Sequence, residues 1–253
     1  METINIIDKS FSILIIFFIS TVFAILGIFY SRNFKDLSNY LVANRSMGVF
    51  SLTFSLVSSA LGAWILFGPA SAATWGGIGA VIGYALGTAF PLFIMISLGS
   101  KVRNQYPDGK TLTEVVRLKF GNKLFKLILL LSIFYMIIFL IAEVTAVAIL
   151  IKYLAGTPLW ITSIIIITSS LAYTLYGGLR ASIFTDNIQF LILITLLIIS
   201  FWLLISYNSL IFNFEYIKEN QPNLLSYNNY TNFTAGFTFF LAVSATNLFH
   251  QGN

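Results

Sequence analysis

Residues 55–77 read SLVSSALGAWILFGPASAATWGG, and the fold turns on this stretch. It lies in an apolar span of about 50–74 that is long enough to cross a bilayer. Yet that span carries Ser58, Ser59, Gly62, Gly68 and Pro69. Pro69 supplies no amide donor and its ring crowds the preceding turn. In hydrocarbon, any backbone group freed in this way must be satisfied by protein, water or ligand. A small, polar, Gly-interrupted span is therefore a pointer to a discontinuous helix lining a transport site. Close packing of one helix on another asks for the same small residues, so composition alone leaves both readings open. Trp64 stands at mid-membrane depth, where its indole N–H wants an acceptor.

The rest of the chain places this span among others. Of 253 residues, 58% are hydrophobic and 9% charged, against roughly a quarter charged in ordinary soluble domains. The mean hydropathy is +0.89. Further apolar runs lie at about 11–30, 78–98, 126–154, 159–176 and 183–207, with a seventh beginning at Phe233. The first is not a signal peptide, since Glu2 and Asp8 precede it against Lys9 alone, and a signal wants a basic start. Polar segments at 99–122 and 208–232 read as loops, and Gly177–Gly178 as a tight turn. The class is an all-α polytopic transmembrane helical bundle.

Charge fixes the expected orientation. Of the 14 Lys and Arg, eleven fall in alternate loops: Arg32, Lys35, Arg45, Lys101, Arg103, Lys110, Arg117, Lys119, Lys123, Lys126 and Arg180. Lys9, Lys152 and Lys218 take the other side. The positive-inside rule makes the eleven-charge side cytoplasmic and the N-terminus extracytoplasmic. Trp75, Tyr153, Trp160 and Trp202 fall near the expected outer helix ends, as an aromatic belt would. The basic 99–122 loop is ordinary positive-inside charge, so no nucleic-acid partner is expected. With no cysteine, thiolate metal sites and cysteine nucleophiles are excluded, and with His250 as the single histidine no zinc site or His-based triad is expected; the chain is not read as an enzyme. The sequons at Asn229 and Asn232 are weak, because an Asn-rich chain makes them readily.

Two carboxylates fall within spans. Glu143, in LIAEVTAV, is expensive at that depth and should face the protein interior or a water-filled cavity. It reads equally as a solute or proton site and as a structural carboxylate. Asp186 sits in the first turn of the sixth expected span, where an acidic cap suits the helix dipole. A cation-attracting carboxylate is the other reading.

Several motifs now stand in order. Residues 40–48, YLVANRSMG, precede the interrupted span, and residues 176–189 read YGGLRASIFTDNIQ. The first resembles the YFLAGRSLG-type segment of the sodium:solute symporter family, which includes proline permeases and sodium/glucose transporters. The second closely resembles that family's GGLRAVIWTDVIQ signature, and TNLFHQGN at the end is similar to a further family segment. The resemblance implies a leucine-transporter-type inverted-repeat fold, with an extra N-terminal helix over 1–31 and the first five-helix repeat over 32–207. It further implies an extracytoplasmic loop over 208–232 and the start of the second repeat over 233–253, so that the chain is the N-terminal half.

The resemblance also implies that sodium is the coupling ion, held partly by the carbonyls of Ser58 and Leu61, with Asp186 as an electrostatic partner on the cytoplasmic side. The remaining ligands would come from the second repeat, without which the chain should not transport. Ser59, Ala60, Trp64 and Phe67 are the expected solute wall, with Glu143. Proline-group members carry Asp and Ser where this chain has Ala60 and Gly62, which argues against a proline carrier. The expectation is a sodium-driven symporter of a small organic solute, such as an amino acid or related metabolite, in the plasma membrane, as in a bacterial inner membrane. The rival is a transporter-like sensor module of a membrane histidine kinase.

Overall fold

The computed structural model describes residues 6–34, 36–107, 111–207 and 209–251. Among these the chain is helical: α1 Lys9–Ser31, α2 Leu37–Val42, α3 Val49–Ala60, α4 Trp64–Gln105, α5 Leu112–Phe120, α6 Asn122–Ala155, α7 Leu159–Ser206, α8 Ser209–Asn220 and α9 Tyr230–Gln251. Helices α1, α6 and α7 and residues 67–105 of α4 are long and apolar enough to cross a membrane. Their outer faces carry large apolar side chains in the open, such as Phe18, Phe134 and Trp202, each more than 60% exposed. That surface suits lipid and not water. The chain is a multi-pass membrane protein.

Helix α7 has 48 residues, which would run about 70 Å if straight and overshoot a hydrocarbon core of about 30 Å. It does not run straight. At Gly178 the backbone turns to φ 59°, ψ −148°, and the two arms, 159–177 and 179–206, fold back on each other. The proof is Gly27 of α1, whose Cα faces both Tyr173 and Thr185, twelve positions apart along α7. Helix α4 has the same device at Gly77, with φ 53° and ψ −149°. There Phe239 reaches both Trp75, at 5.7 Å between ring centroids, and Tyr84, at 6.4 Å. Both reversals follow an aromatic residue and a first glycine: Trp75-Gly76-Gly77 and Tyr176-Gly177-Gly178.

The chain forms two compact units. The first comprises residues 1–64 and 140–202. Within it α1 lies along α7, with Ser169 Oγ donating to the Ser20 carbonyl at 2.5 Å and Tyr30 stacked on Phe184 at 4.0 Å. At the start of α1, Asp8 accepts from the Phe11 amide, and the Ser12 and Thr157 hydroxyls share a buried hydrogen bond of 2.6 Å. Helix α3 lies on the second arm of α7 through the stacked rings of Phe54 and Phe190, 4.4 Å apart. Between α2 and α3 the YLVANRSMG segment turns through three successive left-handed residues, Ala43, Asn44 and Arg45.

The second unit comprises residues 65–139 and 203–253. Its centre is a contact of small residues between α4 and α9. Gly79 lies against the Asn232 backbone, Gly83 against Gly236, and Gly87 against Phe240 and Val243. Spacing of four on both helices gives a stripe along which backbones meet, the arrangement that helix association in membranes favours. A Cβ at position 83 would strike the Gly236 carbonyl, and a backbone atom cannot swing aside. Gly83→Ala is expected to cost about 1–3 kcal/mol by overpacking. A fall in the detergent-solubilised melting temperature checks this, with Gly99→Ala, where nothing lies within 4 Å of the new methyl, as the silent control.

Two segments expected to be loops hold helices. Residues 99–122 contain the end of α4 and all of α5, whose Thr111 caps Glu114 through a 3.2 Å hydrogen bond. Residues 208–232 contain α8 and the short 3-10 helix Pro222–Leu225. Hydropathy could not mark either helix, because neither crosses the bilayer. The Asn232 sequon is closed to modification: Asn232 is 1% exposed and donates from Nδ2 to the carbonyls of Asn223 and Ser226, both at 2.7 Å.

Candidate ion and solute site

The interrupted span is interrupted in fact. Helix α3 ends at Ala60, Leu61 leaves helical geometry at φ −91°, ψ 48°, and helix resumes at Trp64. The Leu61 amide still reaches the Val57 carbonyl at 3.0 Å. Beyond that point the last turn of α3 has lost its downstream amides, so the carbonyls from Ser58 onward face outward from the helix end. The resuming helix begins with amides that have no preceding turn to bond to. Three residues thus expose acceptors on one side and donors on the other.

Ser58, Ser59, Ala60 and Leu61 of the expected site border this gap. Ser58 is buried, Leu61 is half-buried, and Ser59 and Ala60 are exposed. Phe67 is half-buried on α4, in the second unit. Trp64 opens α4, and its side chain lies outside the described residues.

Asp186 is not a helix cap. The second arm of α7 begins at residue 179, so Asp186 is two turns inside it. The span was expected to start near Ile183 because Arg180 and Ser182 lower the hydropathy there; the single-residue reversal starts it earlier. Its neighbour Thr185 is likewise inside the helix, its hydroxyl donating back to the Ala181 and Ser182 carbonyls. The Asp186 carboxylate instead reaches across to α3 and accepts from Ser55 Oγ at 2.6 Å. Ser55 is one turn before Ser58, about 4.5 Å along the helix. Next to it, Asn187 donates from Nδ2 to Ser51 Oγ at 2.5 Å, while its buried Oδ1 has no partner among the described residues. Oxygen acceptors with spare capacity suit a hard cation, so this donor set fits sodium. No group of three or more His, Cys, Asp or Glu that could hold another metal occurs among the described residues.

Ser51 and Ser55 were not singled out from the sequence. The signal was present: Ser51, Ser55, Ser58 and Gly62 recur at spacings of four, three and four, one face of a helix.

Glu143, from α6, lies at the gap itself. A Cβ added to Gly62 would stand 2.5 and 2.6 Å from its two carboxylate oxygens. The bare Cα of Gly62 is what gives the carboxylate room.

Arg180 belongs to a separate cluster. Its guanidinium lies 3.8 Å over the Phe34 ring and donates to Asn39 Oδ1 at 2.6 Å. Asn39 in turn donates to Asp36 from its backbone amide and its side-chain amide. Those two bonds hold the Asp36 carboxyl below its usual range. The Arg of the YGGLRASIFTDNIQ segment thereby ties α7 to the link between α1 and α3.

Comparison with known proteins bears directly on this arrangement. Residues 40–250 match the family model described as the sodium:solute symporter family. The chain belongs to the sodium:solute symporter family. Similar family proteins include the spermidine transporter DUR31 of Candida albicans, 30% identical over 173 residues, which are 68% of this chain and 33% of that one. The sodium/glucose cotransporter 4 of Danio rerio is 27% identical over 168 residues, 64% of this chain and 25% of its own. The sodium/glucose cotransporter 1 of Mus musculus is 28% identical over 187 residues, 70% and 27% respectively. The chain thus spans about a quarter to a third of the length of these symporter-family relatives, whose names are those of transporters and not of enzymes. No solved structure matches.

Proposed function

We propose that this chain forms the N-terminal half of a sodium-coupled symporter for a small organic solute, with the sodium gradient driving uptake. The observation that carries the reading is the three-residue gap between α3 and α4, with Asp186 hydrogen-bonded to Ser55 nearly two turns before it. Helices broken at mid-depth are where such transporters hold ion and solute. The carbonyls of Ser58 and Leu61 contribute to the ion site, and Asp186 supplies charge on its cytoplasmic side. Ser59, Ala60, Trp64 and Phe67 form solute wall. Residues 1–31 are the extra helix, 32–207 the five-helix repeat, 208–232 an extracytoplasmic loop and 233–253 the start of the second repeat. The N-terminus is extracytoplasmic and the membrane is the plasma membrane, of the bacterial inner-membrane kind. An amino acid or related metabolite was the solute expected from the sequence; relatives named for spermidine and for glucose widen the field to amines and sugars.

The test is uptake by the full-length gene product in proteoliposomes, with and without an inward sodium gradient. Accumulation is expected only with the gradient. Uptake indifferent to sodium, or driven by a proton gradient alone, would sink the sodium coupling.

A further inference from the structure

Residues 99–126 carry seven Lys and Arg against two acids, Asp108 and Glu114. The other seven basic and seven acidic residues of the chain cancel, so its whole formal excess of +5 lies in this one stretch. The positive-inside rule accounts for the sign of that charge. It does not ask for a helix there. Helix α5 stands between two membrane-spanning segments, separated from the end of α4 by residues 106–111 and from the start of α6 by Gly121 alone. About five residues, roughly 7 Å of helix, lie between Gly121 and the apolar run that begins near residue 126, and the headgroup layer is about that deep. The end of α5 is therefore held at the level of the lipid headgroups. Its surface suits that depth. Leu118 and Phe120 are 56% and 59% exposed. The Lys119 ammonium lies 5.4 Å from the centre of the Phe120 ring, and the Arg117 guanidinium 5.7 Å from that of Phe125. Lys123 follows, also exposed. Arg117 pairs with Glu114 at 3.4 Å, and its guanidinium has donors left over. Basic residues in the last turn also suit the helix dipole, but the dipole does not call for apolar side chains in the open beside them.

We propose that α5, with Lys123 beyond it, is a docking surface for anionic phospholipid headgroups. Leu118 and Phe120 enter the acyl boundary, while Arg117, Lys119 and Lys123 take the phosphates. Cationic heads on long stems beside outward-facing apolar groups are what a helix presents to a boundary that is apolar below and anionic above. A zwitterionic headgroup carries its own cation beside its phosphate, so it gains less from a cluster of basic side chains. The surface goes beyond the transport reading and depends on neither the ion nor the solute.

The experiment is native mass spectrometry of the full-length gene product in detergent, with phosphatidylglycerol and phosphatidylcholine of matched acyl chains added at equal concentration. Phosphatidylglycerol adducts are expected to exceed phosphatidylcholine adducts about threefold or more. A triple variant, Arg117→Gln with Lys119→Gln and Lys123→Gln, should bring the two lipids to near parity. The control, Lys9→Gln with Lys152→Gln and Lys218→Gln, removes the same charge from the opposite side and should leave the preference as it was. All six side chains are exposed, so both variants should fold. Phe120→Ser keeps every charge and should lower phosphatidylglycerol occupancy about twofold. Equal occupancy by the two lipids in the unmodified protein overturns the proposal. So does an equal loss of preference in both triple variants, which would assign it to net charge. Unchanged occupancy in Phe120→Ser overturns it as well, since the helix would then not be seated by its apolar side. None of these readouts involves transport, so a failure here and a failure of sodium coupling are told apart.

Discussion

Gly178→Ala is expected to abolish accumulation of folded protein. At φ 59° and ψ −148° the residue occupies a region that only glycine enters without strain, and a side chain there costs on the order of 1–3 kcal/mol. The added Cβ would also strike the Tyr40 carbonyl and crowd the Tyr40 ring. That obstruction is backbone, so relief requires moving the link before α3 off α7, with an overpacking cost of about 1–3 kcal/mol more. Together, at about 2–6 kcal/mol, these reach the lower end of the stability of many domains, about 5–15 kcal/mol. The reversal also brings Arg180 to Asn39 and Asp186 to Ser55, so its loss should unmake both. A fluorescent-fusion size-exclusion profile is the measurement: the monodisperse peak should vanish for Gly178→Ala and persist for Gly48→Ala, whose Cβ meets nothing within 4 Å. An unchanged profile for Gly178→Ala would show that the arm can re-seat.

The second large effect is on the ion. Asp186→Asn keeps the size and the hydrogen bond to Ser55 while removing the charge. If the carboxylate draws sodium toward the carbonyls of Ser58 and Leu61, the sodium concentration for half-maximal uptake should rise on the order of tenfold, about 1.4 kcal/mol, with solute affinity at saturating sodium little changed. Ser55→Ala removes a hydrogen bond to a charged group, about 1.5–3 kcal/mol of local stabilisation, and leaves the charge in place. It should raise the sodium requirement less than Asp186→Asn does. Equal sodium dependence in wild type and Asp186→Asn, with both folded, would make Asp186 a purely structural link between α3 and α7.

Much of the fold was legible because the bilayer imposes it. Apolar runs found the spans, and Gly and Ser in 58–62 marked the gap where it lies. The capping pair Thr111 and Glu114 was legible too, as a Thr-x-x-Glu box before an apolar run, but hydropathy does not look for helices outside the membrane. The site was less legible, for a physical reason. Asp186 meets Ser55 across 131 positions of chain, and Glu143 meets Gly62 across 81; such pairs are set by helix packing, which periodicity within one helix does not encode. Asp186 shows the cost. Reading it from the local span start suggested a cap, whereas the single-residue reversal at Gly178 puts it two turns deeper. The stripe Gly79, Gly83 and Gly87 lay open in the sequence, but only the structure gives it α9 as a partner.

The twin reversals at Gly77 and Gly178 bear on how the protein can bend. A turn made of one residue, with a carbonyl of Leu224 or Tyr40 over its Cα, stores no slack: there is no loop to lengthen, twist or unfold. Each reversal is therefore a fixed corner, whereas the chain at residues 61–63 is non-helical and half-buried. Within α3–α4 those three residues are the stretch that neither helix holds by its own ladder. What holds them in place is lateral: the Glu143 side chain beside Gly62 does there what hydrogen bonds along the axis do in the helices on either side.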